Sequence, residues 1–252
     1  MKIVVIGGTG LIGLKLVEKL REAGHEPIAA SPDTGVNTLT GEGLAEALRG
    51  AGVVVDVSNS PVLDDDAVLD FFRTSSQNLR AAETVAGVEH HVVLSIVGAD
   101  RLPESGYLRA KVAQEEAVQG GSVPYTILRA SQFFEFISRL ANSSSNGEAI
   151  HLAPVFVQPE SADDVAATLA DIAVSEPVNG IVELGGAEQF RLDELARRVV
   201  SANHDVRLVE TDAHARYFGA ELEAHSLTPG PNARIAPTRF DDWFNRAPTT
   251  TR

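Results

Sequence analysis

The sequence predicts an α/β fold, a doubly wound parallel sheet covered by helices on both faces. Short β-branched runs alternate with helical segments, and a glycine turn joins the first run to the first helix. The 252 residues suit one large α/β domain, or one domain carrying a smaller lobe.

Lys2-Ile3-Val4-Val5-Ile6 reads as a buried strand, and Ile12, Leu16, Val17 and Leu20 then recur at helical spacing, giving a helix over 11–23. Further strands are expected at 26–30, in a short piece near 36, and at 53–57, 91–95, 124–128 and 181–184. Between them, 42–49, 64–86, 106–119 and 163–174 read as helices. Asp64-Asp65-Asp66 stands where acidic side chains complement a helix dipole, with no partner residues to complete a metal site. Ser161-Ala162-Asp163-Asp164 fits a capping box. His90 and His91 precede a strand and read as surface or packing residues.

Beyond residue 129 the alternation weakens. Ser143-Ser144-Ser145-Asn146-Gly147 is polar and reads as a surface loop, with a substrate lid as the alternative. Residues 186–252 carry one clear helix, 191–202, then Pro- and Gly-bearing connections and an aromatic segment from Phe240 to Phe244. A single domain over 1–252 is therefore expected, with about 130–160 and 186–252 contributing a small C-terminal lobe that caps the substrate, and with the tail Thr249 to Arg252 fraying.

Composition narrows the function classes. A net charge of −14 without clustered Lys or Arg argues against a nucleic-acid partner. The absence of cysteine removes disulfide and thiolate chemistry and fits a reducing, cytoplasmic setting. No apolar run approaches the length of a membrane span, and the glycine-interrupted start, with Lys15, Glu18 and Lys19 soon after, reads as the first strand and helix rather than a signal peptide. The seven histidines show no H-E-x-x-H spacing, so no metal site is expected.

Gly7, Gly10 and Gly13 form G-x-x-G-x-x-G between strand and helix. Gly7 would allow the tight turn, Gly10 would let backbone approach phosphates, and Gly13 would let the helix lie close to the strand. Helix amides would then face a dinucleotide pyrophosphate. A plain strand-to-helix turn with incidental glycines is the alternative.

Tyr107 and Lys111, four apart in Ser105-Gly106-Tyr107-Leu108-Arg109-Ala110-Lys111, share one helix face. With the glycine turn, the run His91-Val92-Val93-Leu94-Ser95 and the later Tyr125-Thr126-Ile127-Leu128-Arg129, the chain resembles the short-chain dehydrogenase/reductase superfamily, in its atypical, extended NmrA-like NAD(P)-binding branch with a Rossmann sheet. The resemblance implies that Tyr107 exchanges a proton with a substrate oxygen. A free phenol has a pKa near ~10, so Lys111 would stabilise the phenolate and hold the nicotinamide ribose. Ser95 would position substrate or Tyr107, although Ile96 follows where many active relatives carry Ser or Thr.

The same resemblance gives Gly7, Thr9, Gly10, Leu11, Ile12, Gly13, Ser31, Asn37, Ser58, Asn59 and Lys111 as cofactor-binding residues. Ser31 stands where NAD-preferring members carry a carboxylate, which favours NADP(H), with NAD(H) as the alternative; Asp33 is near enough to oppose a 2′-phosphate. Gln132, Phe133 and Phe134 would lie beside the substrate, and core packing explains the aromatics equally well.

The expected function is an NADP(H)-dependent oxidoreductase acting on a carbonyl or alcohol of a small, partly apolar molecule, with the oligomeric state left open. The alternatives are a nucleotide-sugar epimerase or dehydratase, for which the segment after 129 reads as too apolar, and a non-catalytic NAD(P) sensor. The resemblance includes regulators that often lack the Tyr/Lys pair, so its presence here favours the first reading over the sensor.

Overall fold

A computed structural model describes residues 1–145, 147, 149–203 and 205–246. Seven strands form one parallel sheet in the order β11-β8-β5-β4-β3-β1-β2. They are β1 (Lys2–Ile6), β2 (Glu26–Ala30), β3 (Val53–Asp56), β4 (His90–Ile96), β5 (Tyr125–Ala130), β8 (Gly180–Gly185) and β11 (Arg234–Ile235). Two small pairs stand outside the sheet, β6 (Ala149–Leu152) with β10 (Leu208–Thr211) and β7 (Phe156–Val157) with β9 (Phe190–Arg191). The strand order reverses between β1 and β3, and in open sheets of this kind ligands bind at the carboxyl ends beside that point.

Period-two alternation sorts the side chains. Ile3, Val5, Val53, Val55, Val92 and Leu128 face α1 (Leu11–Glu22) and α6 (Ala162–Ala173) in one apolar cluster. On the other face Val4, Ile6 and Val54 meet α2 (Leu44–Leu48) and α3 (Asp65–Ala86), while Val93 and Ile127 meet α4 (Gly106–Gln119). A further cluster is built from α5 (Phe134–Ser143), α7 (Leu192–Ala202), β6, β7 and α8 (Phe240–Arg246), around Ile137, Ile150, Leu195 and Phe240.

The expected main strands and helices form with small shifts at their ends, but no strand forms near residue 36. Pro32–Thr34 make a 3-10 turn, Gly35 follows at φ 82°, and the Val36 amide returns to the Ser31 carbonyl at 2.9 Å. Proline and a left-handed glycine together close the turn before any ladder starts. Asp64 caps α3, accepting from the Ala67 amide at 3.1 Å, and Ser161 caps α6, accepting from the Asp164 amide at 3.1 Å. His90 and His91 are buried. In the polar stretch after α5, Ser145 Oγ donates to the Ala149 carbonyl at 2.9 Å and accepts from the Gly147 amide at 3.1 Å. The tail from Thr249 to Arg252 lies outside the described residues. Among the described residues no helix is long and apolar enough to cross a membrane.

Candidate active site

The carboxyl end of β1 turns into α1 through close backbone contacts. Gly7 sits at φ 77°, and a Cβ there would meet the Ser58 backbone at 2.9 Å. A Cβ on Gly13 would stand 2.2 Å from the Gly7 carbonyl oxygen, and one on Gly8 would stand 2.6 Å from Ala29 Cα. Gly8 was not legible in the seven-residue spacing, yet its contact is as restrictive as that of Gly13. Gly10 caps α1 with no side-chain partner, and no acidic residue stands in the first turn. Leu11, Ile12 and Gly13 therefore begin the helix with amides that the backbone leaves free, beside the exposed Thr9.

These observations fit a dinucleotide. Uncapped helix amides favour an anion, and the glycine cradle leaves room for backbone to approach it. Ser31, at the end of β2, and Ser58, after β3, each bury a hydroxyl with no hydrogen-bond partner among the described residues. Asn37 stands apart in its bonding: its Oδ1 accepts from the Leu39 amide at 2.9 Å, closing its own turn.

The loop after β3 links the cradle to Tyr107. The Val57 amide donates to the Ile6 carbonyl at 2.9 Å, and the Ser58 amide donates to Asp56 Oδ1 at 2.9 Å. Asn59 Oδ1 accepts from the Ser60 amide at 3.0 Å and from the Tyr107 hydroxyl at 3.2 Å. Burial pushes the Tyr107 phenol up to about 12, against the opposing effect of the Asn59 hydrogen bond.

Lys111 lies one turn along α4 but is turned inward. Its ammonium donates to the Leu94 carbonyl at 2.8 Å and to Gln114, 4.6 Å above the Phe72 ring centroid. Burial brings it down to about 8, opposed by Asp56 and Glu115. Gln114 in turn donates to Asp56 Oδ2 at 2.9 Å. Lys111 is thus joined to the Ser58 loop through Gln114 and Asp56. The phenol of Tyr107 is raised by its surroundings, contrary to the lowering expected from a lysine partner.

Ser95 stands near the carboxyl end of β4, but its hydroxyl is engaged within the protein. It is buried and donates to Glu115, which receives Arg129 in a two-pronged bond of 2.9 and 2.7 Å; Arg129 also reaches Asp100 at 2.8 Å. Asp56, Gln114, Glu115 and Arg129 escaped the sequence reading because buried polar residues look like solvated ones in a hydropathy pattern.

A cavity of about 490 Å3 opens on the C-terminal side, lined by Leu63, Leu140, Ser144, Ser145, His151 and Phe218 among others. The Phe218 ring lies against Tyr107 at a centroid distance of 5.2 Å, joining cavity to phenol. Gln132 is buried beside Ser131, whose hydroxyl donates to its Oε1 at 3.0 Å. Phe133 is half-buried and packs edge-on to Phe136 at 6.1 Å. Phe134 is buried against Phe240 and Trp243 at 5.4 and 5.2 Å, so its ring serves the core.

The family model described as NAD(P)H-binding matches residues 7–176, spanning the cradle, Tyr107 and the cap of α6. The Photosystem II assembly factor Ycf39 of Cyanophora paradoxa is 26% identical over 149 residues, covering 54% of this chain and 46% of the relative. The chain thus matches about half the length of that relative. Two solved structures share the fold. A short-chain dehydrogenase/reductase superfamily protein from Agrobacterium tumefaciens with bound NAD has TM-score 0.73 and 20% identity over 100% of this chain and 97% of its own. The Thermus thermophilus UDP-glucose 4-epimerase in complex with NAD has TM-score 0.67 and 20% identity over 90% and 92%.

Proposed function

Since the chain belongs to the NAD(P)H-binding family, we propose that it is an NADP(H)-dependent oxidoreductase interconverting carbonyl and alcohol on a small, partly apolar molecule. The observation that carries this reading is the Tyr107 hydroxyl, held on Asn59 in the loop that packs against the glycine cradle. Gly7, Gly10 and Gly13 with the amides of Leu11 and Ile12 would hold the pyrophosphate, and Thr9, Ser31, Ser58 and Asn59 would meet the rest of the dinucleotide. Asn37 would reach it only by releasing its own turn. When bound, the nicotinamide supplies or accepts a hydride.

Tyr107 gives its proton to the substrate oxygen in reduction, and in the reverse oxidation its phenolate takes the alcohol's proton. A phenol held near 12 is protonated throughout the neutral range, which suits a donor. Lys111 acts behind it, positioning the Ser58–Asn59 loop through Gln114 and Asp56. Ser95 fixes Glu115 and Arg129 beneath the strand ends. The lobe expected from about 130–160 and 186–252 would cover the cavity, and Gln132 and Phe133 would stand toward the substrate. The absence of a carboxylate at Ser31 supports NADP(H) over NAD(H).

The test is consumption of NADPH against aldehydes, ketones and quinones, repeated with Tyr107→Phe. Turnover that survives this substitution overturns the proton donor. The likeness to an assembly factor favours a second reading, a dinucleotide-binding protein that acts on a protein partner without turnover. Tight NADPH binding with no turnover of any carbonyl probe would select it.

A further inference from the structure

We infer that Tyr217, aided by Gln132, is a second hydrogen-bond donor to the substrate oxygen that Tyr107 protonates. This rests on the carbonyl reading above and deepens it. A carbonyl oxygen that gains charge during hydride addition needs a donor besides the proton source. The end of β4 does not supply one: Ser95 spends its hydroxyl on Glu115, and position 96 is Ile.

Tyr217 approaches from the C-terminal lobe. Its ring meets Phe218 edge-on at 4.7 Å, and Phe218 meets Tyr107 at 5.2 Å, so two phenols flank one aromatic wall of the cavity. The turn that presents them is held by two reciprocal bonds, Tyr217 amide to Ala220 carbonyl at 2.9 Å and Ala220 amide to Tyr217 carbonyl at 3.0 Å. Phe218 is kept at φ 46° within it, a left-handed backbone that a bulky residue adopts only where its surroundings hold it. The Tyr217 hydroxyl is in hydrogen-bond contact with the Gln132 side chain, whose buried Nε2 has no other hydrogen-bond partner among the described residues. Buried donors without acceptors are costly, and a substrate oxygen would supply the acceptor. Burial raises the Tyr217 phenol, against the opposing Gln132 hydrogen bond and with the nearby Tyr107 adding to the rise, so Tyr217 keeps its proton.

In reduction, a bound reduced nicotinamide would serve as the two-electron donor, its hydride passing to the carbonyl carbon as the nicotinamide is oxidised. The C=O π pair moves onto oxygen, the proton comes from Tyr107, and Tyr217 donates a hydrogen bond without transferring its own proton. Tyr107 regains a proton from solvent. The apolar wall formed by Leu63 and Phe218 suits a flat carbonyl compound, an aryl ketone or a quinone.

The test measures steady-state reduction of phenanthrenequinone and acetophenone by NADPH for wild type, Tyr217→Phe, Gln132→Met and Tyr107→Phe, with NADPH affinity read separately by fluorescence. Tyr217→Phe is expected to lower kcat about 100-fold, as for loss of one oxyanion donor, with KM and NADPH affinity within about twofold. Gln132→Met lowers kcat less and decides the matter if Tyr217→Phe does not fold. An unchanged kcat in the folded variants, or a loss confined to KM, overturns this inference while a collapse in Tyr107→Phe leaves the carbonyl reading standing. Full activity in Tyr107→Phe overturns that reading instead, and a wild type that reduces neither probe overturns both.

Discussion

Replacing Gly13 by alanine sets two effects of opposite sign against each other. Within a helix interior alanine is favoured over glycine by about 1 kcal/mol. The new Cβ would stand 2.2 Å from the Gly7 carbonyl oxygen and 2.6 Å from Gly8 Cα, both backbone atoms that no side-chain rotation can move. Ordinary contact needs about 3.5 Å, so α1 must separate from the turn by roughly 1 Å. Overpacking of this kind costs about 1–3 kcal/mol, which equals or exceeds the propensity gain. Each net kcal/mol lowers the melting temperature by about 2–4 °C in a chain of this size. The larger effect falls on the cradle, whose displaced amides no longer converge. NADPH affinity, read by fluorescence titration, is expected to fall at least about tenfold, equivalent to about 1.4 kcal/mol. Gly24→Ala is the control at the far end of the same helix. Gly24 has φ 80° with nothing within 4 Å, so alanine there introduces backbone strain of about 1–2 kcal/mol without touching the cradle. It should lower stability and leave affinity unchanged. Wild-type affinity in Gly13→Ala would refute the close-approach reasoning.

Three further outcomes follow from other groups. Lys111 is held down to about 8 by burial, while Tyr107 stands near 12, so reductase activity should fall as pH rises through about 8; a flat profile to pH 10 would remove Lys111 from the site's working charge. His91 is buried beside Glu83 at 2.7 Å; burial opposes its charge, but the carboxylates of Glu83 and Asp56 outweigh burial and the Arg80 repulsion, so its pKa is raised. A base raised on folding stabilises below its unfolded value near ~6.5 and loses that stabilisation as pH climbs through the folded value. The stability gap between wild type and Glu83→Gln should therefore be wider at pH 6 than at pH 9 in urea melts, and a constant gap would contradict the pairing. Ser31→Asp puts a carboxylate where a 2′-phosphate would sit and should shift the NADPH to NADH affinity ratio toward NADH by about tenfold or more; an unchanged ratio would place the adenosine ribose elsewhere.

The parts of the fold written in periodic hydrophobicity were legible. Ile12, Leu16, Val17 and Leu20 bury one stripe of α1, and the β-branched runs at 2–6 and 53–57 become central strands. The short strand near 36 was not, because Pro32 and Gly35 set local geometry more strongly than the apolar Val36. The cradle was legible from glycine spacing, except Gly8, whose need appears only when Ala29 of the neighbouring strand is in place. Tyr107 and Lys111 were legible as neighbours on a helix, but not their different directions, since four-residue spacing fixes a face and leaves side-chain partners free. Tyr217 lay beyond reach, as its contact with Tyr107 through Phe218 joins positions about a hundred residues apart.

The two faces of the sheet differ in a way that bears on how the site is held. Against α1 and α6 the central strands present Val, Ile and Leu. Against α4, register places Asp56, Ser95 and Arg129 on neighbouring strands near their carboxyl ends, and α4 lays Lys111, Gln114 and Glu115 on them. Burying ions costs several kcal/mol each before pairing, and apolar residues of similar volume would often serve stability as well or better. Every charge in this layer is paired or hydrogen-bonded: Lys111 to Gln114, Gln114 to Asp56, Asp56 to the Ser58 amide, and Glu115 to Arg129 and Ser95. Apolar packing would leave the Ser58–Asn59 loop with fewer directional bonds, and that loop both touches Gly7 and accepts from Tyr107. Chains break local rules chiefly where function requires it, and here the polar layer ends on the one segment shared by the dinucleotide cradle and the proposed proton donor.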